Sequence, residues 1–230
     1  MRLLEADNLV FNSGPRGLAR QVSFALEQGA VVWLKGPSGE GKTSLLRTLA
    51  RLARPLGGEI RLDGARSSAV PAVTWRSRVA YVHQKAVLFR GTVRTNLEKA
   101  FTFHIRKSHN IDMQRAEGYL SRLMLPDDIL DRDALTLSVG EASRVALART
   151  LMVDPMILLL DEPSAALDPV ARRALGSLLA QWVRELRRGI VLAGHDEALR
   201  RQVPGQEIHL PDLARVTLSS AESKQRDFRG

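Results

Sequence analysis

The sequence predicts an α/β fold: a mixed, mainly parallel sheet flanked by helices, with an N-terminal antiparallel β region and an inserted α-helical subdomain. Three observations predict it. An apolar run at residues 31–34 enters the glycine-rich stretch Gly36-Pro37-Ser38-Gly39-Glu40-Gly41-Lys42-Thr43, after which leucines 45, 46, 49 and 52 recur at helical spacing. A second apolar run at 156–160 ends in Asp161-Glu162 and is followed by an amphipathic stretch at about 169–188. Between the two, from about 87 to 154, the strand-like pattern gives way to helical periodicity.

In chain order, apolar clusters at 3–4, 9–11, 22–26 and 31–34 are broken by Asn12-Ser13-Gly14-Pro15 and by Gly29, which predicts short strands. Residues 43–52 form the helix that a phosphate-binding loop needs behind it. Val79-Ala80-Tyr81-Val82 reads as a strand, and residues 112–125 as an amphipathic helix stopped by Pro126. Residues 140–153 make another helix, and the parallel-sheet pattern resumes at 156 and again at 190–193. Beyond Pro211 the chain turns polar. The expected organisation is one nucleotide-binding domain at 1–218, a helical subdomain inserted at about 87–154, and a mobile tail at 219–230.

Length and composition set limits. The 230 residues suit one α/β domain with a substantial core. The apolar run at 156–160 is far short of the roughly 18 residues a membrane-spanning helix needs, so a membrane step would fall to another chain. The start has no apolar segment with a cleavage site, which predicts a cytoplasmic protein. With no cysteine there is neither a disulfide nor a thiolate metal site. The net charge of +9 is spread over pairs such as Arg172-Arg173, Arg187-Arg188 and Arg200-Arg201, as on solvated helix faces, so no direct nucleic-acid partner is expected.

The chemistry begins at residues 36–44. Gly36, Gly39 and Gly41 let backbone amides approach phosphate oxygens, with Pro37, Ser38 and Glu40 between them, and the helix opening at Lys42, Thr43 and Ser44 aims its positive end at the same anions. Lys42 is placed to reach the β and γ phosphates of ATP, and Thr43 to supply a hydroxyl to Mg2+. Asp161 at its strand end would order the metal, and Glu162 would act as general base toward water. These features read as a P-loop NTPase core. An acid pair after a strand also occurs as a solvated turn or a helix cap.

Gln84 follows the strand at 79–82, Leu137-Ser138-Val139-Gly140-Glu141 opens a helix, Asp168 closes Ser164-Ala165-Ala166-Leu167-Asp168, and His195 follows the strand at 190–193. Together with the P-loop and Asp161-Glu162-Pro163, these segments resemble the ATP-binding cassette family, the ATPase subunits of ABC transporters, over nearly the whole chain. The resemblance implies that Gln84 senses Mg2+ and the transmembrane partner, and that Ser138, Gly140 and Glu141 form the signature contacting ATP held by a second copy. It also implies that Asp168 couples the two sites, that His195 holds the γ phosphate and orients water, and that Phe11 stacks on adenine. Val139 replaces a glycine and Glu141 a glutamine of the family signature, which removes φ freedom at 139 and sets an acid near an anion. Ser138 and Asp168 read equally as helix N-caps, and Phe11 as a core residue.

The implied partners are a second ATPase subunit, itself in an ATP-dependent homodimer, and separate permease subunits that hold the chain at the inner membrane face. Residues 88–97 and 125–130 look most like bacterial iron or metal exporters. A soluble cassette ATPase without a permease and a hydrolysis-deficient binding partner are the alternatives. His83, His104, His109 and His209 show no convergent spacing for a metal.

Overall fold

The computed structural model describes residues 1–13, 18–102, 112–185 and 187–216. The histidines at 104 and 109, Gly14-Pro15 and the expected tail at 219–230 lie outside them. In chain order the strands are β1 (Arg2–Asn12), β2 (Ala19–Glu27), β3 (Val31–Lys35), β4 (Gly57–Leu62), β5 (Ala65–Arg66), β6 (Val79–Val82), β7 (Ile157–Asp161), β8 (Gly189–Ala193), β9 (Gln206–His209) and β10 (Arg215–Val216). The helices are α1 (Lys42–Leu49), α2 (Ala72–Arg78), α3 (Val93–Thr102), α4 (Met113–Arg122), α5 (Val139–Met152), α6 (Pro169–Trp182) and α7 (Glu197–Gln202).

The strands form two sheets. One is antiparallel, in the order β10-β2-β1-β4-β5, and the other is parallel, in the order β6-β7-β8-β3-β9. The antiparallel part is thus a sheet of its own. Every residue of β7 and β8 is buried, as expected for strands covered on both faces. The apolar clusters at 3–4 and 9–11 belong to one strand, β1, whose register slips between Ala6 and Leu9 where Asn8 has φ 46°. Gly58 faces that bulge with φ 75°, and a Cβ there would sit 2.1 Å from the Asn8 carbonyl oxygen.

Helix α1 is shorter than the leucine spacing suggests. It caps at Ala50, Arg51 turns the chain at φ 56°, and Leu52 is left 44% exposed. Helix α6 likewise stops at Trp182 instead of running to 188: the next amides, of Arg184 and Glu185, bond three residues back, to Gln181 and Trp182, Arg187 has φ 60°, and Arg188 lies over the Trp182 ring at 4.6 Å.

Helices α3, α4 and α5 all lie in the crossover from β6 to β7, which are neighbours in the parallel sheet. Val145, Ala148 and Leu151 of α5 share one apolar cluster with Ala116 and Leu120 of α4 and with Ala80, Leu158 and Leu160 of the sheet. Within α3, the fully buried Asn96 accepts from the Phe89 amide at 2.7 Å and donates to the Phe89 carbonyl at 2.9 Å, which fixes the segment that follows Gln84. The described part of the stretch after Pro211, to residue 216, is also structured: a 3-10 turn (Leu210–Asp212) buries Leu210 completely and leads into β10, paired with β2. Among the described residues no helix is long and apolar enough to cross a membrane.

Candidate active site

Strands β6, β7, β8 and β3 are consecutive in the parallel sheet, and each delivers part of the site just past its C-terminal end. Strand β3 leads into the glycine loop, where Gly36, Gly39 and Gly41 have φ of 141°, 87° and 96°. Ser38 and Gly39 form the exposed crest, and Ser44, one turn into α1, lends its carbonyl to the Thr48 hydroxyl at 2.8 Å. Lys42 is only 6% exposed, and its Nζ donates to the carbonyls of Gly36 at 2.5 Å and Pro37 at 3.0 Å. It also meets His195 Nε2 at 3.2 Å, so the imidazole accepts there. Burial pushes the ammonium pKa down, against the pull of Glu162, Asp161 and Glu40.

Asp161 is 3% exposed and its Oδ2 accepts from Thr43 Oγ1 at 2.8 Å and from the Tyr81 hydroxyl at 2.9 Å. Burial, then the Asp161 charge, drives the Tyr81 pKa far up, so the phenol stays a donor. Next along the chain, Glu162 stands at φ 46°, a left-handed conformation uncommon for this residue type, with its amide donating to the Ala193 carbonyl at 2.9 Å. That twist turns its carboxylate to the neighbouring strand end, where Gln84 Nε2 donates to Glu162 Oε2 at 3.0 Å.

Six of the residues singled out from sequence thus bond in three pairs: Lys42 with His195, Thr43 with Asp161, and Gln84 with Glu162. The contact drawn by Gln84 is with Glu162. Ser138, Glu141 and Asp168 are engaged elsewhere. Asp168 caps α6 through the amides of Val170 and Ala171, and those bonds hold its carboxyl below the usual range. Phe11, expected to stack on adenine, lies inside the core. It is 0% exposed and its ring lies under Gly41, leaving no open face for a base to stack on. His83 accepts from the Lys85 amide, and His209 faces Glu207 at 3.3 Å. Sequence reasoning missed Tyr81; the signal was a tyrosine in a strand parallel to the one that ends in Asp161.

At the start of α5, Ser138 and Glu141 close a reciprocal capping box. The Ser138 amide at 2.9 Å and hydroxyl at 2.8 Å both donate to Glu141 Oε2, and the Glu141 amide returns to Ser138 Oγ at 3.2 Å. Arg132 holds the other carboxylate oxygen at 3.1 Å. Val139 is the first helical residue, 66% exposed, and its φ is not positive, so the chain enters α5 here without glycine. Gly140 is constrained: a Cβ would stand 2.8 Å from the Ala166 carbonyl oxygen.

The bonds from Ser138 lower the Glu141 pKa, so this cap is complete above the ordinary glutamate range and is lost as pH falls through the depressed value. A neutral acceptor holds the two Ser138 donors less tightly, by about 1 kcal/mol. Glu141→Gln is therefore expected to destabilise the fold by about that amount. Urea denaturation reads this, and an unmoved midpoint counts against it.

The residues present fit a magnesium-bound triphosphate: a buried ammonium held by two loop carbonyls and the His195 ring, and a hydroxyl already directed at a buried carboxylate. Among the described residues no three His, Cys, Asp or Glu side chains converge to hold a metal alone, so phosphate and water oxygens would complete its shell. Fold and site together define a P-loop nucleoside triphosphatase.

A family model described as ABC transporter matches residues 19–165. The probable iron export ATP-binding protein FetA of Escherichia coli (strain K12) is 33% identical over 195 residues, covering 85% of each chain. The phosphate import ATP-binding protein PstB 2 of Natronomonas pharaonis is 36% identical over 227 residues, covering 90% of this chain and 79% of that one. The dimeric post-hydrolysis structure of the ATP-binding cassette MJ0796 bound to ADP and Pi matches with a TM-score of 0.77 at 24% identity, over 90% of this chain and 94% of that one. The chain belongs to the ABC transporter family, as an ATP-binding subunit with ATPase activity.

Proposed function

We propose that two copies of this chain close around two Mg-ATP, each site joining residues 36–44 of one copy to Ser138 and Gly140 of the other, and that closure moves separate permease subunits at the inner membrane face. The observation that carries it is the pairing of Lys42 with His195, Thr43 with Asp161 and Gln84 with Glu162 at the C-terminal ends of β3, β6, β7 and β8, while Ser138 and Asp168 stand exposed. Residues 1–218 are taken as the nucleotide-binding domain, with 87–154 inserted in it.

In this reading Lys42 exchanges the carbonyls of Gly36 and Pro37 for phosphate oxygens, which frees His195 Nε2. Magnesium, when bound through Thr43 and Asp161, supplies charge neutralisation at the phosphates. Gln84 steers the Glu162 carboxylate, and Glu162 draws the proton from water. The permease's cytoplasmic helix is assigned to a groove of about 340 Å³ between the end of α1, β6, α3 and α5, lined in part by Leu52, Tyr81, Phe89 and Arg149. Iron or metal export is the proposed cargo class, supported by likeness to FetA. Metal efflux from cells lacking the gene, compared with cells carrying it, tests the cargo.

Mixing Lys42→Met with Gly140→Val tests the shared site. Each variant alone is expected to be nearly inactive. Half the dimers in an equal mixture pair the two variants with one intact site, so about a quarter of wild-type ATPase should return. No recovery would sink the shared-site reading.

A further inference from the structure

We infer that Arg20 is a positioning residue of the nucleotide site: it draws aside and neutralises the Glu40 carboxylate, the acid that stands within the phosphate loop. The inference rests on reading residues 36–44 as the cradle for ATP. Between Gly39 and Gly41, where loop amides face an anion, a free carboxylate would repel each phosphate in proportion to its charge.

Arg20 arrives from β2 in the antiparallel sheet and is 2% exposed. Its Nη2 binds Glu40 Oε2. Its Nη1 donates to the Leu210 carbonyl at 2.7 Å and reaches those of Pro211 and Leu213 at 3.4 Å each. Three backbone oxygens therefore fix the guanidinium in place, and its Nε is buried without a hydrogen bond. A buried guanidinium whose anionic partner is one carboxylate holds that carboxylate strongly, because separation would leave a desolvated charge. The same turn braces the loop's first glycine: a Cβ on Gly36 would stand 3.0 Å from Pro211 Cδ. Arg20 thus ties the loop to both the antiparallel sheet and the C-terminal turn, and places the negative charge of Glu40 on the side that faces them.

Equilibrium binding of the fluorescent nucleotides mant-ATP and mant-ADP to the full chain tests this. Arg20→Met is expected to weaken mant-ATP at least about tenfold and mant-ADP less, since the released carboxylate opposes the more charged ligand more. The KM for ATP should rise with kcat largely kept. Adding Glu40→Gln to Arg20→Met should restore affinity to within about threefold of wild type, because the repelling charge is gone. Arg20→Lys should fall between, and compared with Arg20→Lys/Glu40→Gln it gives the same reading if Arg20→Met does not fold. Wild-type affinity in Arg20→Met, equal losses for the two nucleotides, or a double variant no better than the single one would overturn the proposal. A wild-type chain that binds no mant-ATP would overturn it together with the ATP reading beneath it.

Discussion

Glu162→Gln is expected to lower steady-state ATP turnover by roughly 100-fold or more while leaving mant-ATP affinity within a few-fold of wild type. Glutamine has the shape of glutamate, so the contact with Gln84 survives with one amide reoriented, and the backbone at φ 46° has the same occupancy demands. What disappears is a basic oxygen able to take a proton from water. Thr43 keeps its bond to Asp161 and Lys42 its place beside the loop carbonyls, so phosphate binding keeps its charge and its donors. With hydrolysis blocked, the ATP-bound dimer should accumulate in size-exclusion chromatography. Turnover within threefold of wild type would show that Glu162 is not the base, and a strictly monomeric variant under Mg-ATP, with and without its membrane partner, would remove the dimer.

Gly41→Ala is expected to cripple nucleotide binding and to destabilise the fold by on the order of 3 kcal/mol. Two costs add at this position. A side chain at φ 96° occupies a region that L residues avoid, and the new methyl would meet Ser13 Cα and Cβ at 2.8 Å and the Phe11 ring at 3.3 Å. Ser13 cannot swing aside freely, since its amide and hydroxyl are both bonded to the Leu18 carbonyl, and Phe11 is fully buried. The loop must then lift. A displacement of about 1 Å in a positioning element can lower turnover on the order of 100-fold, so ATPase should fall further than stability alone explains. Urea denaturation paired with mant-ATP titration reads both effects. Unchanged melting and affinity would mean that the loop does not rest on Ser13.

Most of the phosphate site was legible because its chemistry is contiguous: nine residues from Gly36 to Ser44 carry the loop, and Asp161-Glu162 close an apolar strand. The rest depends on partners distant in sequence. Phe11 has the position of a stacking aromatic, yet its burial is decided by Ser13 and Gly41 closing over it. Arg20 looked like any strand arginine until the turn some 190 residues later supplied its acceptors. Leu52 continues the helical spacing of Leu45, Leu46 and Leu49, but a left-handed turn at Arg51 intervenes, and spacing carries no record of φ. The two clusters in β1 look like separate strands because the bulge at Asn8 shifts the alternation that reveals a strand.

Tyr81 belongs to two neighbourhoods at once. Its ring forms part of the wall assigned to the permease, and its hydroxyl steadies the oxygen of Asp161 that Thr43 also holds. Under the proposed docking, a mechanical signal from the membrane would have a single phenol to cross on its way to Asp161.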